Sequence, residues 1–194
     1  MERQRWLDGT LYSPDFEQDS CGFGLIAQID NQPSHTLVQN AIGSLACMTH
    51  RGAIAADGLS GDGCGLLFKK PDAFLRAVAS EAGFTLGELY AAGLLFLSRD
   101  AAPQAHARAT LKSSLEAQGL TVAGFRLVPT NSSVCGESAL ASLPHIEQVF
   151  VNAPAGMSED DFERKLYIGR RQAEKALEPA DPVFYLPTLS CRVI

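Results

Sequence analysis

Asp19-Ser20-Cys21-Gly22-Phe23-Gly24-Leu25-Ile26-Ala27 is the stretch from which the rest of this 194-residue chain can be read. A thiol follows a short polar run and opens a largely apolar segment, Phe23 to Ile29, whose pattern predicts a strand. Glycines on either side of Phe23 leave the backbone beside the thiol open to close approach by a substrate. Cysteine also supplies, as its thiolate, a strong side-chain nucleophile. A small buried cysteine at the head of a core strand accounts for the same residues, and it is the commoner use of the side chain.

A second motif shifts the balance. It is Thr49-His50-Arg51-Gly52, followed by Ala56-Asp57-Gly58-Leu59-Ser60-Gly61-Asp62-Gly63-Cys64-Gly65-Leu66-Leu67. Together with Cys21-Gly22-Phe23-Gly24, these residues resemble the N-terminal class II glutamine amidotransferase domain of the glutamate synthase large subunit. The Gly61-to-Leu67 run is more similar to the bacterial, NADPH-dependent type than to the ferredoxin-dependent one. Val128-Pro129-Thr130-Asn131 and Phe150-Val151-Asn152-Ala153-Pro154-Ala155-Gly156 extend the likeness toward the end of the chain. The fold so implied is α+β, part of the αββα sandwich of N-terminal nucleophile hydrolases.

Composition agrees with a globular domain. Hydrophobic residues make up 46% and charged residues 20%, enough to build a core and too apolar for a disordered chain. The net charge of −6 argues against nucleic acid and anionic membrane as partners. No apolar run reaches the ~20 residues of a membrane span, and the first 20 residues lack the apolar core of a secretory signal. A cytoplasmic protein is expected, in which the five scattered cysteines are reduced thiols rather than a disulfide framework.

Residues 1–20 read either as a frayed terminus or, by the resemblance, as a propeptide. Ser34 is placed to cap a helix carrying Leu37, Val38, Ala41, Ile42 and Leu45, which would deliver His50-Arg51-Gly52 at its end and stop at Gly52. Cys64 to Phe68 reads as a buried strand. Asp72 would cap a short helix with Phe74, Leu75 and Val78 inward, ended by Gly83. Residues 21–89 thus form a nucleophile-bearing portion.

From residue 90 to 194 the pattern is an α/β subdomain of βαβ-type repeats. Strands are expected at 90–97, 122–128, 146–151 and 183–189. One helix would open at Pro103 with Ala107, Leu111 and Leu115 inward, and another would start at Ser158 with Phe162, Leu166, Ala173 and Leu177 on one stripe. Two such split units predict a small antiparallel sheet with both helices on one face. The chain stops at Ile194 within an apolar, strand-like run, so it reads as truncated.

Other motifs carry less. Gly22-Phe23-Gly24-Leu25-Ile26-Ala27 fits a loose dinucleotide fingerprint, but a polar run precedes it and a strand follows, the reverse of what that site needs. Cys47 and His50 have no second pair at metal-ligand spacing, so no metal site is predicted. Arg51 suits a helix C-terminus, while the resemblance puts it beside the nucleophile, with Gly22 and Gly52 allowing close packing. His50 and Asp62 are candidates for polar support around that centre, although a turn former is the preferred reading of Asp62. His35, His106 and His145 show no partner pattern.

The resemblance implies that Cys21 is the catalytic residue and that residues 1–20 are removed. The thiol would attack the side-chain amide of L-glutamine while the freed α-amino group moves the proton. FMN and an iron–sulfur cluster would lie elsewhere in the large subunit, and NADPH and FAD would act through a small subunit. Gln28 stands where the family more often has histidine, and no asparagine-glycine pair, the family's oxyanion-binding motif, occurs before Ile194. Another N-terminal nucleophile amidohydrolase, a non-catalytic module and a cysteine-based metal module remain as alternatives. Mass spectrometry of the active full-length protein is expected to find Cys21 as its first residue; an intact Met1 in active protein overturns the processing step.

Overall fold

The computed structural model describes residues 22–48, 54–61, 63–178 and 180–194. Two compact units result, Met1–Cys64 and Gly65–Ile194.

In the first unit, helix α1 spans His35–Cys47 and the Ser34 hydroxyl caps it, accepting from the Leu37 amide at 3.3 Å. Asn31 sets the preceding turn with a left-handed φ of 56°. α1 stops at Cys47, short of the expected Gly52, because the Met48 amide folds back onto Leu45 and Ala46 carbonyls in a tightened last turn. Phe23 to Ile29, expected as a strand, is not one. Apolar content does not make a strand without a neighbouring backbone to pair with, and Phe23, Leu25 and Ile29 are exposed.

The second unit opens with helix α2, Asp72–Glu81, and continues through β1 (Tyr90–Leu97), α3 (Ala101–Glu116), β2 (Thr121–Leu127), α4 (Glu137–Ser142), β3 (His145–Asn152), α5 (Glu159–Leu177) and β4 (Leu189–Ser190). The sheet order is β2-β3-β1-β4. β3 runs antiparallel to both β1 and β2, and β1 pairs antiparallel with β4. β1 and β2 are therefore parallel, with β3 inserted between them. The β1–β3 ladder is unbroken from Tyr90↔Asn152 to Leu97↔His145.

Strand periodicity divides the side chains between two faces. One face of β1, with Ala91, Leu95 and Leu97, joins Val149 and Val151 of β3 under α3 and α5. Those helices contribute Ala107, Leu111 and Leu115 from α3, and Phe162, Leu166, Ala173 and Leu177 from α5. Steps of three and four residues put each set on one side of its helix. Gly169 lets α5 close on α3, because a Cβ there would meet Leu115 at 2.9 Å. Gly93 does the same beneath the closing segment, where a Cβ would lie 2.4 Å from the Thr188 carbonyl oxygen.

The opposite face is covered by α2. Leu75, Val78 and Ala79 pack on Tyr90, Ala92 and Phe150, so residues 65–89 belong physically with the sheet. Asp72 is the first residue of α2 rather than its cap, which is Pro71. Phe74, expected inward, is 58% exposed because it lies off the stripe formed by Leu75, Val78 and Ala79.

Three further expectations change in detail. α3 begins at Ala101, with Pro103 in its first turn, where a missing amide costs no helical bond. The strand expected over 183–189 shrinks to Leu189–Ser190. Asp181 turns the chain by accepting both the Val183 and Phe184 amides on one carboxylate oxygen, leaving Tyr185 only an isolated bridge to Phe96. In the run from Cys64 to Phe68, backbone pairing starts only at Phe68, which exchanges two hydrogen bonds with Ile194, so Leu66 and Leu67 stay exposed.

Phe162→Ala is expected to destabilise the chain by about 3–5 kcal/mol. Phe74→Ala should fall within about 0.5 kcal/mol of the parent. Urea denaturation followed by circular dichroism gives both values, and equal losses would refute the assignment of the core.

Candidate functional site

Of the residues that the sequence marks for chemistry, Cys21, His50, Arg51, Gly52 and Asp62 lie outside the described residues. Gly22 is described and exposed, at the start of a run without regular structure that reaches Gln28. The chain between the two motifs is a built turn. Ile54 and Gly61 form an antiparallel bridge, and the Ala55 amide donates to the Ser60 carbonyl at 2.8 Å. Asp57 holds the turn from inside: one carboxylate oxygen accepts the Leu59 and Ser60 amides, and the other accepts the Ser60 hydroxyl at 2.6 Å. Gly58 and Gly63 have φ values of 68° and 88°, a region that side chains with a Cβ seldom enter. The glycine-rich run therefore has a conformational cause.

The later motif residues also have structural work. Asn131 caps a single 3₁₀ turn, Ser132–Val134, accepting both the amide and the hydroxyl of Ser133. Asn152, at the end of β3, clamps the loop before β1 by accepting from the Gly87 amide at 3.0 Å and donating to the Thr85 carbonyl at 3.1 Å. Gly156 adopts a left-handed φ of 78°. These positions fix turns at the ends of the sheet.

Comparison with known proteins agrees with the motifs. The family profile of the class II glutamine amidotransferases matches residues 21–194. The chain belongs to that family. It is 38% identical over 180 residues to the ferredoxin-dependent glutamate synthase 2 of Synechocystis sp., covering 92% of this chain and 11% of the relative. It is 35% identical over 185 residues to the NADPH glutamate synthase large chain of Bacillus subtilis, covering 95% of this chain and 12% of the relative. The corresponding large chain of Azospirillum brasilense is 38% identical over 186 residues, 94% of this chain and 12% of the relative. The chain thus spans about a tenth of the length of these relatives. Both electron-donor classes match at similar identity, so the likeness is to what they share.

The described cysteines differ in environment. Cys191 is buried, and desolvation with the Glu163 carboxylate beside it pushes its pKa up to about 12, which keeps it a neutral thiol. Cys47 and Cys64 are exposed and Cys135 is half-buried. Among the described residues, no three His, Cys, Asp or Glu side chains converge as a metal cage would require, and no helix is long and apolar enough to cross a membrane.

The charged clusters of the second unit hold its scaffold together. Glu147 of β3, only 6% exposed, receives Arg108 of α3 bidentately at 2.8 and 2.5 Å. His145, two positions earlier on the same strand face, lies 2.8 Å from the same carboxylate. Alternation on a strand would have revealed this His-x-Glu pair, whereas Arg108 comes from a different element and has no sequence signal. Burial raises the Glu147 pKa, but the hydrogen bonds from Arg108 and His145 outweigh it and hold the carboxyl below its ordinary value.

A second cluster surrounds Tyr90, whose ring carries the Lys70 ammonium at 3.9 Å and the Arg76 guanidinium at 4.7 Å. Burial pulls the Lys70 amine below its ordinary pKa, against the opposing pull of Asp72.

The depressed carboxyl of Glu147 links stability to pH. Its contribution is fully present above the unfolded carboxylate pKa of about 4.3 and is lost as pH falls through the lower folded value. The stability gap between the parent and Glu147→Gln, measured by urea denaturation, should narrow only as pH falls below about 4.3. A gap independent of pH would refute this.

Proposed function

We propose that this chain is the first part of the glutaminase domain of a glutamate synthase large subunit, with residues 1–20 as a propeptide and residues 21–194 as the mature portion. The observation that carries this reading is the family match, which begins at Cys21, the residue with the required chemistry. The glutamate synthase relatives, similar over most of the chain, support that reading. In this reading residues 21–194 contribute part of an αββα sandwich, with the four-stranded sheet under α3 and α5 forming the α/β subdomain of its second half.

One amino acid then does two jobs. The Cys21 sulfur attacks the side-chain carbonyl carbon of L-glutamine, and its α-amino group accepts the thiol proton. An α-amine titrates near 7.7–8.0, so it can take and give a proton close to neutrality. That nitrogen passes the proton to the leaving nitrogen; the carbon–nitrogen bond breaks, and ammonia departs from a γ-glutamyl thioester. Water next attacks the thioester carbonyl, the amine relays its proton back to sulfur, and glutamate is freed. While Ser20 is attached the same nitrogen is a peptide amide and cannot serve, so processing is a chemical requirement.

Arg51, with Gly22 and Gly52 permitting close approach, supports the substrate, while His50 and Asp62 supply polar surroundings. The ammonia aminates 2-oxoglutarate at a separate centre of the large subunit. FMN and an iron–sulfur cluster belong to that part of the protein, and NADPH and FAD to a small subunit, supplying the electrons that the amination consumes. The whole assembly works in the cytoplasm.

Cys21→Ala in the full-length protein is expected to cut glutamine hydrolysis by at least ~10⁴-fold. Ammonia release measures the loss, and an unreduced rate removes Cys21 from the chemistry. The 194-residue chain alone should hydrolyse glutamine poorly or not at all, because it contains no asparagine-glycine pair to serve the oxyanion. A single missing oxyanion donor costs about 10²–10³ in rate. Equal ammonia release from this chain and from one extended through the rest of the domain would show that the added residues are not needed.

A further inference from the structure

We draw no further inference here: the strongest candidate, the open groove between α5 and the closing segment lined by Glu163, Tyr167, Arg170, Thr188 and Ser190, carries nothing because its charged groups are already engaged within the chain, Glu163 by the Ser190 hydroxyl and the Cys191 amide and Arg170 by Glu174 and the Pro187 carbonyl.

Discussion

The apolar layer between the sheet and its two long helices is the constraint on which the second unit depends. Leu95, Leu97, Val149 and Val151 present one side of the sheet, and Leu111, Leu115, Phe162 and Leu166 fill it from above. Removing each large side chain from water contributes roughly 1.5–3 kcal/mol, set against the conformational entropy of ordering its backbone and rotamers. Because the strands alternate and the helices repeat every 3.6 residues, both patterns must point at one plane together. Gly93 and Gly169 stand where that plane admits no Cβ. The helix spacing and the strand register are thus two expressions of one burial requirement.

Polar groups at the margin complete what the apolar layer cannot. The first two turns of α5 carry Glu159, Asp160 and Glu163, and all three engage the closing segment. Glu163 takes the Ser190 hydroxyl and the Cys191 amide, each at 2.7 Å, while Arg192 pairs with Glu159 and Asp160. The Ser190 hydroxyl also accepts the Arg192 and Val193 amides, bending the chain away from β1. Residues beyond the bend pair with Phe68 and Lys70. One segment therefore serves two backbone neighbours in succession. At the other end of the sheet, Arg99 of the β1–α3 connection donates to the Leu140 and Leu143 carbonyls, holding the C-terminal end of α4 just before β3. The exposed ties of Arg192 and Arg99 contribute modestly to stability and chiefly fix where the connections run.

Chemistry and scaffold occupy different parts of the sequence. The residues that point to amide cleavage cluster between Cys21 and Asp62, whereas the regular sheet and its covering helices begin after residue 65. The family likeness nevertheless runs across both. In the second half Asn131, Asn152 and Gly156 fix ordered turns. A cysteine buried beside a carboxylate, as Cys191 is, illustrates the converse: the same element with its pKa pushed upward is inert. Environment, more than residue type, sets the reactivity of a thiol.

By itself the sequence determined the four longer helices, since their stripes and caps are local, while the six-residue α4 has no such stripe. Ser34 and Ser158 cap where their hydroxyls reach the next turn, and Phe162, Leu166, Ala173 and Leu177 were legible from spacing alone. It also determined the family, through motifs whose order and residue types are specific even where no contact is specified. Only the tertiary structure decided which apolar runs become strands. Val149 and Val151 have neighbours on both sides, while Phe23, Leu25 and Leu67 are just as apolar and remain exposed. A strand needs hydrogen-bond partners from distant residues, and neither those partners nor the Arg108–Glu147 pair is encoded in any local period.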